Sequence, residues 1–174
     1  MINKRIGLNK SFDAFMVFCA ERLIFVFLGF IIIWLFLSRD EDLFEFIFTM
    51  GTGILASLLF NWVVALFMRR PRPIVEFPTI HQLVKPIQTF KSFPSDHTAI
   101  AFTLALIVLF IGAGVLTGTF LLVMAMLIAV SRIYVGVHYP RDILGGVIMG
   151  ILISSVSIWL TRTVSIPIFV TFFG

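Results

Sequence analysis

Apolar residues fall in long uninterrupted blocks along this chain, with short polar breaks between them. Leu23 to Leu37 is an unbroken run of 15 residues, closed by Ser38-Arg39-Asp40-Glu41-Asp42. Four consecutive charges are too costly at bilayer depth, so they mark an exit. A second block, Leu43 to Met68, carries Glu45 near one end and Asn61 inside it as the expected interhelical polar contact. Three more blocks run from about Asp96 to Ile111, from Val115 to about Val130 and on into Ser131 and Arg132, and from Ile143 to Leu160. Gly145, Gly146 and Gly150 in the last offer close helix approach, and Gly112-Ala113-Gly114 predicts a tight turn between the third and fourth.

Blocks of this length predict membrane-crossing helices, since about 20 apolar residues span about 30 Å of hydrocarbon. The expected fold is an all-α integral membrane bundle of about five transmembrane helices, forming one domain over residues 1–174. The first run is short for a span, so residues 11–22 either extend it backward or form an N-terminal interfacial helix capped by Ser11. Residues 161–174 are apolar but interrupted by Pro167, which predicts a partly inserted tail rather than a sixth span. No small-residue cleavage site follows the polar start, so the first run is expected to be retained. One long polar stretch, Arg69 to about Pro94, holds five of the seven prolines, too many for a continuous helix.

Composition agrees with this pattern. Hydrophobic residues make up 60% and charged residues 13%, with a mean hydropathy of +1.10, which excludes an ordinary soluble domain and a disordered chain. The single cysteine, Cys19, allows no internal disulfide. A net charge of +4 raises nucleic acid as a partner, but the basic residues cluster at one predicted membrane surface, so nucleic acid is not expected.

Alternating spans bring the end of the second, the start of the third, the end of the fourth and the start of the fifth to one face. That face collects Arg69, Arg70, Arg72, Ser95, Asp96, His97, Ser131, Arg132, His138, Arg141 and Asp142. Clustered guanidinium groups repel one another unless an anion neutralises them, and their forked donors suit phosphate oxygens. Ser95 and Asp96 begin the third span, where a helix N-terminus offers N–H groups to the same anion. His138 and Asp142 are four apart, so on a helix the carboxylate could hold the imidazole with its other nitrogen free as a nucleophile, leaving His97 available as an acid.

Arg72-Pro73, then Pro94-Ser95-Asp96-His97, then Ser131-Arg132 followed by His138 and Asp142, resembles the three-part signature of the type 2 phosphatidic acid phosphatase superfamily of membrane lipid phosphatases. Two positions depart from it. The usual lysine seven residues before the first-motif arginine falls on Ala65, its contact to be lost or supplied by Arg69 or Arg70, and Asp96 replaces the usual glycine of the second motif. Both departures, with Phe93 to Thr98, are similar to bacterial undecaprenyl-diphosphate phosphatases of the bacitracin-resistance type.

The resemblance implies that Arg72, Ser95 and Arg132 hold the phosphoryl group, with Arg70 and Asp96 counted beside them. His138 would be the nucleophile, Asp142 would orient it, and His97 would protonate the leaving group and then activate water. It implies no cofactor and no metal, the arginines and helix N–H groups supplying the charge stabilisation. The implied reaction is hydrolysis of undecaprenyl diphosphate, a polyprenyl diphosphate, to the monophosphate, with phosphatidate or phosphatidylglycerophosphate as alternative substrates.

Blander readings stand beside these. Asp96 also reads as a helix N-cap, Arg69, Lys85 and Lys91 as anchors for membrane lipid headgroups, Tyr134 and Tyr139 as interface residues, and His81, His97, His138 and Asp142 as a metal site. A non-catalytic transporter or headgroup-binding protein would use the same basic face. Eleven of the thirteen Lys and Arg fall on that face, which by the positive-inside rule turns it to the cytoplasm, whereas the resemblance implies the extracytoplasmic side of a bacterial plasma membrane. The outer side is the expectation adopted, because five of the eleven sit in or beside the motifs.

Overall fold

The computed structural model describes residues 6–38, 43–77, 79–86, 88–112 and 114–173. The charged exit at Arg39 to Asp42, the basic pair Lys4 and Arg5, and Ala113 of the predicted turn lie outside the described residues. The helices are α1 (Lys10–Glu21), α2 (Leu23–Ser38), α3 (Leu43–Phe67), the short α4 (Pro73–Glu76), α5 (Asp96–Ile111), α6 (Val115–Tyr134), α7 (Pro140–Leu160) and α8 (Ile166–Phe173).

Among the described residues, α3, α6 and the continuous helix from Pro140 to Thr171 are long and apolar enough to cross a membrane. The α1–α2 pair adds a fourth span if it crosses as one broken element, bent by 55°. This is an all-α, multi-pass membrane bundle, and the expected count of five is not what these lengths give. The missing one is α5, whose 16 residues rise about 24 Å. It sits in the middle of the bundle against α3, α6 and α7, with Ala99, Ala101, Leu104, Ala105, Ile107 and Val108 almost wholly buried. A helix sheathed by other helices need not match the lipid thickness.

Contacts to α5 are close because glycine faces it. A Cβ on Gly150 would lie 2.6 Å from Phe102 Cβ, and one on Gly146 would lie 2.8 Å from Thr98 Cβ. Between apolar helices in lipid, backbone approach of this kind replaces the hydrophobic drive available in water. Ser57 and Thr103 add a buried hydroxyl pair at 3.1 Å between α3 and α5.

Three local expectations change. Asn9, not Ser11, caps α1, its side chain accepting from Phe12 N at 3.1 Å. Tyr134 is not an interface residue, for it is buried, edge-on to Phe12 and donating to Asp13 Oδ1 at 2.5 Å, so that α1 is fastened to α6. The C-terminal stretch is no separate tail, since α7 runs through a π-helical turn, Thr161–Ser165, into α8. Pro167 has no N–H and its ring crowds the preceding turn, and the ladder widens there until Ile166 N reaches Thr161 O. At that end of the bundle Thr49 Oγ1 donates to Thr161 Oγ1 at 2.9 Å, and Arg162 pairs with Glu45 at 2.6 Å.

Candidate active site

The proline-rich stretch after α3 folds back on itself beside the start of α5. Arg72 N donates to Thr89 O at 3.0 Å, Ser92 N to Arg70 O at 3.0 Å, and Arg70 and Lys91 form a parallel bridge. Prolines on both sides restrict the Arg72 backbone, and its buried guanidinium is pinned by Nε donating to Gln88 O at 2.6 Å and Nη1 to Val137 O at 3.0 Å.

His138 stands in the loop between α6 and α7, which turns through Gly136 at a φ of 81°. The N–H groups of Val137 and His138 both donate to Arg132 O, at 3.2 and 3.3 Å. The His138 ring is 4% exposed, with Arg72 Nη1 3.3 Å from Nε2 and Asp142 Oδ2 3.6 Å from Nδ1. A guanidinium can only donate, so Nε2 must accept and the ring proton belongs on Nδ1, facing the carboxylate. That leaves the lone pair on Nε2, the nitrogen facing Arg72. Burial pushes the His138 pKa down to about 4, against the pull of Asp142 and with help from Arg132 and Arg72, so the imidazole is neutral at pH 7.

Asp142 is fixed from every side. It accepts from Ser92 Oγ at 2.5 Å and Tyr139 N at 2.8 Å, and Arg70 Nη1 pairs with it at 3.3 Å. Arg70 also lies over the Tyr139 ring, 4.2 Å from its centroid, and the Tyr139 hydroxyl donates to Glu76. Burial, with Glu76 next, pushes the Tyr139 pKa up to about 12. Tyr139 is thus part of the support behind Asp142.

A cavity of about 420 Å³ opens in front of His138, lined also by Arg72, His97, Arg132, Lys91 and Asp96, with Phe25 and Trp62 among its apolar walls. Arg132 reaches it from the end of α6, its Nη1 donating to Ala20 O at 2.8 Å. Its Nε is buried with no hydrogen-bond partner among the described residues, a donor set for an anion. Burial also lowers the Arg72 pKa, countered by Asp96 and Asp142.

The structure therefore brings Arg72, His97, Arg132, His138 and Asp96 to one cavity, with Asp142 directly behind His138. It turns Arg70, its alternative Arg69, and Ser95 elsewhere. Arg70 is engaged by Asp142 and Tyr139 and does not line the cavity, and Arg69 lines a separate surface hollow with Val75 and Phe90. Ser95 is fully buried outside the lining, its Oγ accepting from Thr98 Oγ1 at 3.1 Å and its N donating to Asp142 O at 3.1 Å. Ser95 rather than Asp96 is the α5 N-cap. His81 is exposed and not part of the cavity, and no group of three or more His, Cys, Asp or Glu among the described residues could hold a metal ion. The sequence assigns Ser92 no role and reads Lys91 only as a headgroup anchor, because what places them is the pairing of 70 with 91 across the loop.

The profile of the PAP2 superfamily matches residues 43–165, the stretch that holds all of these groups. The chain belongs to the PAP2 superfamily. It is similar to undecaprenyl-diphosphatase BcrC of Bacillus subtilis (strain 168), 38% identical over 149 residues that cover 83% of this chain and 72% of that one. Among solved structures it is similar to Aquifex aeolicus LpxE, with a TM-score of 0.74 and 29% identity over 91% of this chain and 90% of the other. A PAP2 type phosphatidylglycerolphosphate phosphatase from Bacillus subtilis shares the fold, with a TM-score of 0.69 and 24% identity over 94% of this chain and 84% of that one. As a PAP2 protein the chain is an integral, multi-pass bacterial membrane protein and a phosphoric-ester hydrolase, acting on a phosphate-bearing membrane lipid by a histidine-type mechanism.

Proposed function

We propose that His138 Nε2 takes the terminal phosphoryl group from a lipid phosphate held by Arg72 and Arg132. The observation that supports this most is the Arg72–His138–Asp142 line, which leaves a neutral imidazole with its lone pair on Nε2 in a residue that lines the cavity. A new P–N bond forms as the bond from phosphorus to the lipid oxygen breaks, and His97 gives that oxygen a proton. Water then gives a proton to His97 and its oxygen attacks phosphorus. The P–N bond breaks, inorganic phosphate leaves, and His138 is restored. Arg132 Nε and the Arg72 guanidinium stabilise the charge that builds on the equatorial oxygens.

For the lipid, undecaprenyl diphosphate is the reading supported by the likeness to BcrC, whose name states that substrate. A monoester such as phosphatidylglycerophosphate or phosphatidate is the second reading, and the charge of the cavity favours it. Asp96 and Glu21 offset two of the four cations that line the cavity, Arg72, Lys85, Lys91 and Arg132, and the remaining positive charge is close to what one phosphate carries and less than a diphosphate carries. The apolar Phe25 and Trp62 sides of the cavity suit the chain of either lipid. The site is proposed to face the extracytoplasmic side. Labelling of a cysteine placed at exposed Thr79, in a Cys19→Ser background, by an impermeant maleimide on whole cells tests that orientation.

Phosphate release in detergent from undecaprenyl diphosphate and from phosphatidate, with and without EDTA, tests the rest. Release that survives EDTA and vanishes in His138→Ala agrees with the proposed route, and the faster substrate decides between the lipids. Release abolished by EDTA contradicts a route that uses side chains alone, and retention in His138→Ala contradicts the nucleophile.

A further inference from the structure

Of the two cavity lysines that the mechanism above leaves unused, Lys85 is exposed and Lys91 is not. A surface lysine holding lipid headgroups would extend outward, but this side chain is folded in and only 13% exposed. Its ammonium lies 3.0 Å from Asp96 Oδ1 and 2.8 Å from Oδ2, and Asp96 Oδ1 also accepts from Asn61 Nδ2 at 2.9 Å. The backbone of Lys91 is bridged to Arg70, two residues from Arg72, so the loop carries both cations on one paired strip. An ammonium has three N–H donors. Two go to Asp96, and Lys91 lines the same cavity as Arg72, Arg132 and His138, which leaves the third for an anion there.

We propose that Lys91 is a phosphate-binding residue of this site, and that Asp96 and Asn61 are positioning residues that hold its ammonium at the cavity wall. The inference rests on the lipid-phosphatase reading given above. It accounts for a carboxylate at a phosphate site, because Asp96 meets the phosphate already neutralised by Lys91 and fixes where the ammonium points. It also accounts for Ala65, buried on α3 one turn beyond Asn61, since the cation that the helix does not carry comes from the loop instead.

The test uses the full chain in detergent, with phosphate release from undecaprenyl diphosphate and from phosphatidate, and with inorganic phosphate as a competing product. Lys91→Ala is expected to raise KM for the preferred lipid, and the inhibition constant of inorganic phosphate, by about tenfold or more while kcat stays within about threefold. Lys91→Arg is expected to recover most of that loss, and Asp96→Asn to raise KM less than Lys91→Ala does. An unchanged KM and phosphate inhibition in Lys91→Ala overturns the proposal. So does an equal fall of kcat in Lys91→Ala and Lys91→Arg, which would make Lys91 a residue of loop structure alone. Release from neither lipid by the unmodified chain is seen before any variant is made, and overturns the functional reading together with this inference.

Discussion

Arg72 Nη1 lies 3.3 Å from His138 Nε2, although the two residues are 66 positions apart in the chain. This contact joins the first motif to the third and assigns the ring proton of His138 to the nitrogen facing Asp142. It also means that Arg72 acts before any substrate arrives, by fixing the tautomer, as well as afterwards, by holding phosphate. Arg72→Lys tests both. A lysine's donors all sit on one nitrogen, which cannot reach Gln88 O, Val137 O and Nε2 together as the separate Nε and Nη1 of arginine do. The expected fall in kcat/KM is about 100-fold or more, with the fold retained, by phosphate-release kinetics.

The acid side of the pH profile carries the signature of a buried nucleophile. An ordinary histidine charges as pH falls through about 6.5. Burial holds His138 near 4, so its lone pair should survive that range and the acid limb of kcat/KM due to His138 should appear near 4. The linkage to stability has a definite sign. Between 6.5 and about 4 the unfolded chain binds a proton that the folded His138 refuses, so this contribution to stability falls as pH falls through that window. An acid limb of kcat/KM at about 6.5 would contradict the buried geometry.

Packing at the middle of the bundle can be tested away from the chemistry. An Ala at Gly150 brings its Cβ to 2.6 Å from Phe102 Cβ and 3.1 Å from Thr103 N, so α5 and α7 must separate. Gly150→Ala is expected to destabilise the fold by about 1–3 kcal/mol, read as a lower melting temperature in detergent, while kcat at low temperature is largely kept. An unchanged melting temperature would show that the two helices are not held at this distance.

What the sequence made legible follows from how local each signal is. The membrane helices announce themselves because lipid demands long apolar runs, and α5 begins and ends where its polar flanks predict. The His138–Asp142 relation spans only four residues, although His138 stands in the loop before α7 and not on the helix that the spacing suggested. Arg70 could not be placed in this way. Its diversion to Asp142 and Tyr139 depends on how the proline-rich loop meets α7, and nothing within a few residues of it records that meeting. Lys91 is the same case, for the parallel bridge to Arg70 spans 21 positions of chain whose regular structure, among the described residues, is the single turn of α4. Pro167 misled because a proline ordinarily ends a helix, whereas here a π-helical turn absorbs it.

The central claim is that a phosphoryl group is carried on His138. Rapid quenching of the full chain with a lipid phosphate radiolabelled in its terminal phosphoryl group, followed by peptide mapping, tests it most directly. The account predicts protein-bound label that is stable to alkali, lost in acid, found on the peptide containing His138 and absent from His138→Ala. Phosphate released at the normal rate with no such labelled intermediate, or label on another residue, would contradict it.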